Sequence, residues 1–341
     1  MTTYREEILK TMRFEKTAHT PVAILNGQMW ICAKHGLTAK QLLDLPDAGA
    51  QLLFDAYREM GSYILTAGCT DGWVMMRAMG GETDLDRIAG EITKTPIRKI
   101  EEIAGFDVQA VIAAMRADHY YQRTLVQTKR LRELAGDAYL IGGGFFGPFT
   151  IAAQMVGLGK FMLQLRKGAD AEAILDFASE ICLANYEDLI ENGVDLVTLP
   201  EPVASGDMIS LKMTEDLVAP ADKKLMDRIR EKCPHTLIHI CGDTADRVQL
   251  MAENGYGIFS VDSIDLVQAQ KDSAGRMALF GNLNPAKILG EKTADEVYEI
   301  CLELCRQMKP YGGFILAPGC DLAPNIPLAN LQAMARAAAE A

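Results

Sequence analysis

The chain has 341 residues, 49% hydrophobic and 23% charged, the balance of an ordinary soluble globular protein. A formal net charge of −12 with no run of lysine or arginine disfavours nucleic acid as a partner, because phosphate binding needs clustered basic residues. No segment approaches the roughly 18 uninterrupted apolar residues of a membrane span, and the 8 cysteines, lacking a compact repeated spacing, suit reduced thiols and metal ligands better than disulfides.

The charged opening from Met1 to Ile8 reads as a helix rather than a secretion signal, so a cytoplasmic location is expected. Pro21 to Asn26 reads as a strand, Ala39 to Glu59 as a helix and Tyr63 to Ala67 as a short strand. A hairpin is expected around Gly80-Gly81 and Glu91 to Pro96. From there strands and helices alternate cleanly. Ala138 to Gly142 is a strand, and Ala171 to Asn192 a long helix with Asp170 placed to cap its start and Gly193 to end it. Asp195 to Leu199 is a strand, Asp222 to Lys232 a helix, Thr236 to Ile240 a strand, and Thr244 to Asn254 a helix closed by Gly255. Ile258 to Val261, Met277 to Phe280 and Phe314 to Ala317 are the last strands. Cys301 and Cys305 sit four apart in a helical pattern and read as packing residues.

Such alternation implies parallel strands joined by right-handed crossovers. About seven or eight units fit an α/β (β/α)8 TIM barrel better than an open sheet, here one domain over 1–341 with an N-terminal helical segment over 1–20. No Gly-x-Gly-x-x-Gly follows a first strand, which removes the main signal for a Rossmann fold. Gly142-Gly143-Gly144 follows a strand and suits a sharp turn or a close approach of backbone to a ligand.

In this fold the reactive residues lie at the C-terminal strand ends. In order these are Asn26, Thr66, Gly143, Glu201, His239 with Cys241, Asp262, Asn282 with Asn284, and Cys320. Within that ring His239-Ile240-Cys241 stands out. Residues two apart on a strand point to the same side, so the imidazole and the thiol leave the backbone together. A second thiol, Cys320, arriving from a later strand end makes the Cys2His set that zinc prefers. Three protein ligands leave a position open, which marks a catalytic site rather than a structural one. A chain with 8 Cys and 5 His also contains His-x-Cys by chance; the added signal is that both halves follow strand-like segments and abut glycine, at Cys241-Gly242 and Gly319-Cys320.

The segments from His239 to Thr244, Gly281 to Pro285 and Gly319 to Leu328, together with Glu201 to Ser210 and Arg5 to Pro21, resemble the uroporphyrinogen decarboxylase superfamily, and more narrowly its corrinoid-dependent methyltransferase branch. The resemblance covers essentially the whole chain, and His-x-Cys with a distant Cys is its specific part. It implies a TIM barrel with one catalytic Zn2+ that moves a methyl group between the cobalt of a small corrinoid-binding protein and an acceptor. The acceptor is the thiol of coenzyme M in methanogens and tetrahydrofolate in several anaerobic bacteria; tetrahydrofolate is placed first here. Carried onto this sequence, His239, Cys241 and Cys320 would be the zinc ligands, with Glu201 a fourth ligand or a substrate-binding or orienting group. Asp207, Asp262, Asn282 and Asn284 would hydrogen-bond a pterin or, the commoner role for such residues, serve as structural caps or turns, alongside Asn26 and Gly143 as substrate-binding positions. Asn284 before Pro285 equally suits a helix N-terminus.

The methylcorrinoid would be supplied by the partner, since no Asp-x-His-x-x-Gly segment of the cobalamin-carrying domains is present. Candidate walls for its entry are the Gly142 to Pro148 and Gly68 to Gly81 loops, and Trp30 and Trp73 would either stack on corrin or pterin or pack the rim. The namesake reaction is disfavoured, because a porphyrinogen with eight carboxylates calls for arginines near the barrel mouth and Leu25 to Trp30 contains none. A different class of reading makes the zinc structural and the barrel a binding module for a corrinoid protein; only three evident ligands argue against it.

Overall fold

The structure, a computed structural model, describes residues 2–67, 73–144 and 146–341. A 7-stranded parallel sheet carries the fold, built from β1 (Ile64–Ala67), β4 (Leu140–Gly144), β5 (Leu196–Pro200), β6 (Thr236–His239), β7 (Ile258–Ser260), β8 (Ala278–Leu283) and β9 (Phe314–Pro318) in chain order. The intervening β2 (Glu82–Asp84) and β3 (Glu91–Lys94) pair antiparallel as a separate hairpin, as the sequence pattern anticipates.

The segment expected as a first strand, Pro21 to Asn26, makes one parallel bridge, Val22 to Leu316. On its other side the Tyr63 amide donates to the Val22 carbonyl at 2.8 Å. It therefore lies between β9 and β1 and brings the curled sheet round on itself in a TIM-barrel-like fold.

Strand alternation sorts the side chains into two layers. Leu140, Leu196, Leu237, Ile258, Ala278 and Ile315 pack together as one core. Their neighbours one residue along each strand, including Val197, Ile238, Phe259 and Leu279, join the larger core shared with the helices. Ile8 of the N-terminal helix Tyr4–Met12 packs into the first of these cores, with Leu9 and Met12 against it. That helix plugs the N-terminal end of the barrel, leaving the other end for chemistry.

Two expected helices differ in detail. Ala39 to Glu59 is two helices, Ala39–Asp44 and Pro46–Glu59, broken at Leu45. Pro46 lacks an amide hydrogen and its ring clashes inside a helix, so it opens the second helix instead. Thr244 to Asn254 begins as a tight turn over Ala245–Arg247 and becomes α-helical only at Val248–Glu253. Asp170 does serve the long helix, its Oδ1 accepting from the Glu172 amide at 2.9 Å. Cys301 and Cys305 are buried inside helix Ala294–Met308, as packing residues should be.

Candidate metal centre

β6 ends at His239, and the chain leaves the strand through Gly242, whose φ of +67° is a conformation glycine adopts without strain. His239 and Cys241 share a side, so His239 Nε2 stands 3.2 Å from Cys241 Sγ. The end of β9 delivers Cys320, whose Sγ is 3.7 Å from that of Cys241. Ligand atoms of all three lie within 4.8 Å of one another.

These spacings fit a tetrahedral zinc site. Zinc–sulfur bonds of about 2.3 Å place two sulfurs about 3.8 Å apart, and a disulfide would need them at about 2.05 Å. The imidazole is held from behind, because its Nδ1 is 3.0 Å from the hydroxyl of fully buried Ser260. Cross-strand register aligns His239 with Ser260 on β7 and with Pro200 on β5. His239 is buried while both thiols are half-buried, so the sulfur face is the one open to the barrel mouth.

The two sulfurs are electrostatically one unit. A hydrogen bond from Cys241 and the nearby His239 pull Cys320 down to about 4, and the same hydrogen bond together with burial pushes Cys241 far up. One proton shared between the thiols thus holds one negative charge; a divalent cation in its place allows both to ionise.

Acidic side chains ring the trio. Asp262 Oδ2 accepts from the Gly242 amide at 3.1 Å, and burial with the Cys320 charge raises its carboxyl. Asp321 is open to solvent on the floor of the mouth, but the surrounding protein and Cys320 push it up to about 6. Its Oδ2 accepts from Asn26 Nδ2 at 3.3 Å. Asp207 Oδ2 accepts from the Asp243 amide at 3.2 Å, on the loop facing Gly242. These four expected positions, Asn26, Asp207, Asp262 and Cys320, therefore face one mouth.

Others are placed elsewhere. Glu201 lies outside the ligand group: its buried carboxylate accepts from the amides of Phe149 and Thr150 at 2.9 and 2.8 Å and from the Thr150 hydroxyl. It caps helix Pro148–Val156, which corrects the expectation of a fourth ligand. Burial raises it to about 7, and it sits beside buried Asp222, to which Tyr256 donates at 3.1 Å. Its amide donates to the His239 carbonyl at 2.8 Å, so it steadies the ligand strand through the backbone. Gly143 turns its vacant side towards Val194 rather than a ligand. Asn284 is a cap, its Oδ1 accepting from the Ala286 and Lys287 amides at 3.1 and 2.8 Å. Asn282 Nδ2 is spent on the Ile264 carbonyl at 2.8 Å.

Trp30 is buried with its indole N–H donating to the Ile326 carbonyl at 2.7 Å, the rim-packing alternative. Trp73 is buried too but lines a cavity of about 380 Å³ that reaches Asp321 and Phe146. Of the expected Gly68 to Gly81 wall, residues 68–72 lie outside the described residues. Ser260, Asp222 and Asp321 were not anticipated; for Ser260 a signal existed, a polar residue ending a strand beside the His-x-Cys strand. Among the described residues no helix is long and apolar enough to cross a membrane.

Comparisons with known proteins agree with this architecture. The family model for uroporphyrinogen decarboxylase (URO-D) matches residues 3–341. Methylcobamide:CoM methyltransferase MtbA of Methanosarcina acetivorans is 31% identical over 210 residues, covering 62% of this chain and 61% of that relative's length. Methylcobamide:CoM methyltransferase MtaA of Methanosarcina barkeri is 28% identical over 273 residues, 77% of this chain and 76% of that one. A solved methyltransferase from Methanosarcina mazei superposes with a TM-score of 0.87 at 24% identity, covering 100% of this chain and 99% of its own, a likeness of fold. With a matched model running nearly end to end, the chain belongs to the uroporphyrinogen decarboxylase family.

Proposed function

We propose that the chain moves a methyl group from the cobalt of a methylated corrinoid protein to a thiol acceptor. The observation that carries this is the convergence of His239, Cys241 and Cys320 within 4.8 Å at the open end of the barrel. Those three residues would hold Zn2+, which when bound lowers the pKa of an acceptor thiol and keeps it as thiolate. In the transfer the thiolate's electron pair forms the sulfur–carbon bond. The carbon–cobalt bond breaks with its pair left on cobalt, so methylcobalt(III) becomes cobalt(I).

The protein's own contribution is positioning. Ser260 fixes the imidazole and Glu201 anchors the strand that bears it. Asp262 and Asp321 border the sulfur face, and the half-buried thiols are reachable from the mouth, where the corrinoid must present its cobalt. The sequence alone placed tetrahydrofolate first as acceptor. Two relatives named for coenzyme M move a thiol to first place. Decarboxylation of an octacarboxylate fits poorly, since among the described residues no arginine or lysine lines the cavity in the mouth.

The test is anaerobic absorbance of methylcobalamin mixed with zinc-loaded protein and either coenzyme M or tetrahydrofolate. The reading expects loss of the methylcobalamin band with the thiol. Loss with tetrahydrofolate alone overturns the thiol acceptor and restores the folate.

A further inference from the structure

The cavity of about 380 Å³ beside the metal centre is bounded by Asn26, Trp73, Glu91, Phe146, Gln154 and Asp321, among others. Asp321, which follows the candidate ligand Cys320 in the chain, is the lining residue that ties the cavity to the metal centre. Its size suits a ligand larger than a two-carbon thiol, at the lower end of small-molecule sites, which run from about 300 Å³ upward.

Its polarity is one-sided. Among the described residues no lysine or arginine lines it, and its charged residues are Asp321 and Glu91, the latter neutralised by Arg87. The arginines nearby are committed. Arg87 pairs with Asp84 at 3.1 Å and Glu91 at 2.8 Å. Arg77 pairs with Asp118 at 2.7 Å and lies over the Trp73 ring at 5.0 Å.

A second observation is independent of charge. Gln154 Oε1 is buried and has no hydrogen-bond partner among the described residues. A buried acceptor left unpaired costs about 1–3 kcal/mol, so it favours a ligand bearing a donor. The indole and phenyl rings of Trp73 and Phe146 supply apolar walls around it.

From these we infer that the part of the acceptor housed in this cavity is uncharged or cationic and presents hydrogen-bond donors, so that a mercaptoalkane sulfonate is a poor fit. The inference rests on the proposed methyl-acceptor role of the site. It separates this chain from what its relatives' names describe, because a sulfonate carries a negative charge and only accepts hydrogen bonds.

The experiment compares three thiols of equal length, 2-aminoethanethiol, 2-mercaptoethanol and 2-mercaptoethanesulfonate, with tetrahydrofolate as a fourth arm. Binding is read from the thiolate-to-metal absorption of cobalt(II)-substituted protein, titrated at equal thiolate concentration; for tetrahydrofolate it is read from quenching of tryptophan fluorescence. The amino and hydroxy thiols are expected to bind at least about tenfold tighter than the sulfonate, the scale of one like-charge contact in a partly wet site. In Gln154→Leu that preference should shrink while sulfonate binding stays unchanged. Equal or tighter binding of the sulfonate overturns the inference and leaves the thiol role standing. Binding and demethylation with tetrahydrofolate alone overturn the thiol role instead and support the inference, since a neutral pterin edge is rich in donors. Binding by none of the four overturns the cavity as the acceptor site.

Discussion

At the N-terminal end of the barrel Asp195 is flanked by two guanidiniums, those of Arg5 and Arg132, the latter at 2.8 Å, and its other oxygen accepts from the Ile141 amide at 2.7 Å. At the C-terminal end Glu201, Asp222, Asp262 and Asp321 have no lysine or arginine partner among the described residues, and all four are raised above their ordinary range, the first three chiefly by burial and Asp321 by the surrounding protein and the Cys320 charge. One end spends its cations on neutralising a carboxylate and closing the barrel under helix Tyr4–Met12. The other keeps acids and thiols uncompensated around a place where a divalent cation fits. A carboxylate paired with arginine is stabilised as the anion and has little chemistry left, whereas unpaired acids and thiols respond to what enters.

The sharpest way to break this contrast is at the sulfur face. Cys320→Ala should abolish zinc binding and lower methyl transfer by about 1,000-fold or more, with circular dichroism and melting unchanged because the fold does not depend on the metal. Unfolding on metal loss would favour the structural-zinc alternative. Ser260→Ala frees His239 Nδ1 and is expected to weaken zinc affinity by about 10–100-fold in a chelator competition while zinc at saturation still supports turnover.

Glu201→Gln probes the acid that was expected as a ligand and is a cap instead. It places an amide N–H₂ against one of the two backbone amides, that of Phe149 or of Thr150, so stability should drop by about 2 kcal/mol with zinc stoichiometry intact. Loss of one zinc equivalent without loss of stability would restore it as a ligand. The wild-type pH profile sharpens the point. Burial holds Glu201 at about 7 against an ordinary 4.5, so the folded state keeps a proton that the unfolded chain releases. Its contribution to stability is therefore greatest below the unfolded value and declines as pH rises through 7, a decline that Glu201→Gln should flatten in denaturant titrations.

The smallest effect is expected at the closed end. Arg132→Ala should cost about 1–2 kcal/mol by removing one of two cations from a partly buried carboxylate, and zinc content and transfer rate should not change. A drop in zinc affinity there would mean that the two ends are coupled.

The convergence of His239, Cys241 and Cys320 was legible in the sequence because a strand's two-residue period and a following glycine are local facts. The barrel was legible for the same reason, through alternation. Glu201 was not, since a strand-end acid can face the mouth or fold back onto a neighbouring helix N-terminus, and only tertiary packing decides. Gly143 is similar: its bare side meets Val194, a contact set by the loop before β5, about 50 residues away. The break at Pro46 was written in the sequence, where proline outweighs the apolar period on both sides. Asp222 and Tyr256 meet Glu201 through contacts remote in sequence, which no single segment reveals.

The most direct measurement is zinc-edge X-ray absorption of the zinc-loaded protein with and without 2-mercaptoethanol. Two sulfur neighbours rising to three on adding the thiol is the predicted result, the mark of His239, Cys241 and Cys320 with one position open to the acceptor. Four protein ligands that do not change when the thiol is added would contradict a catalytic centre.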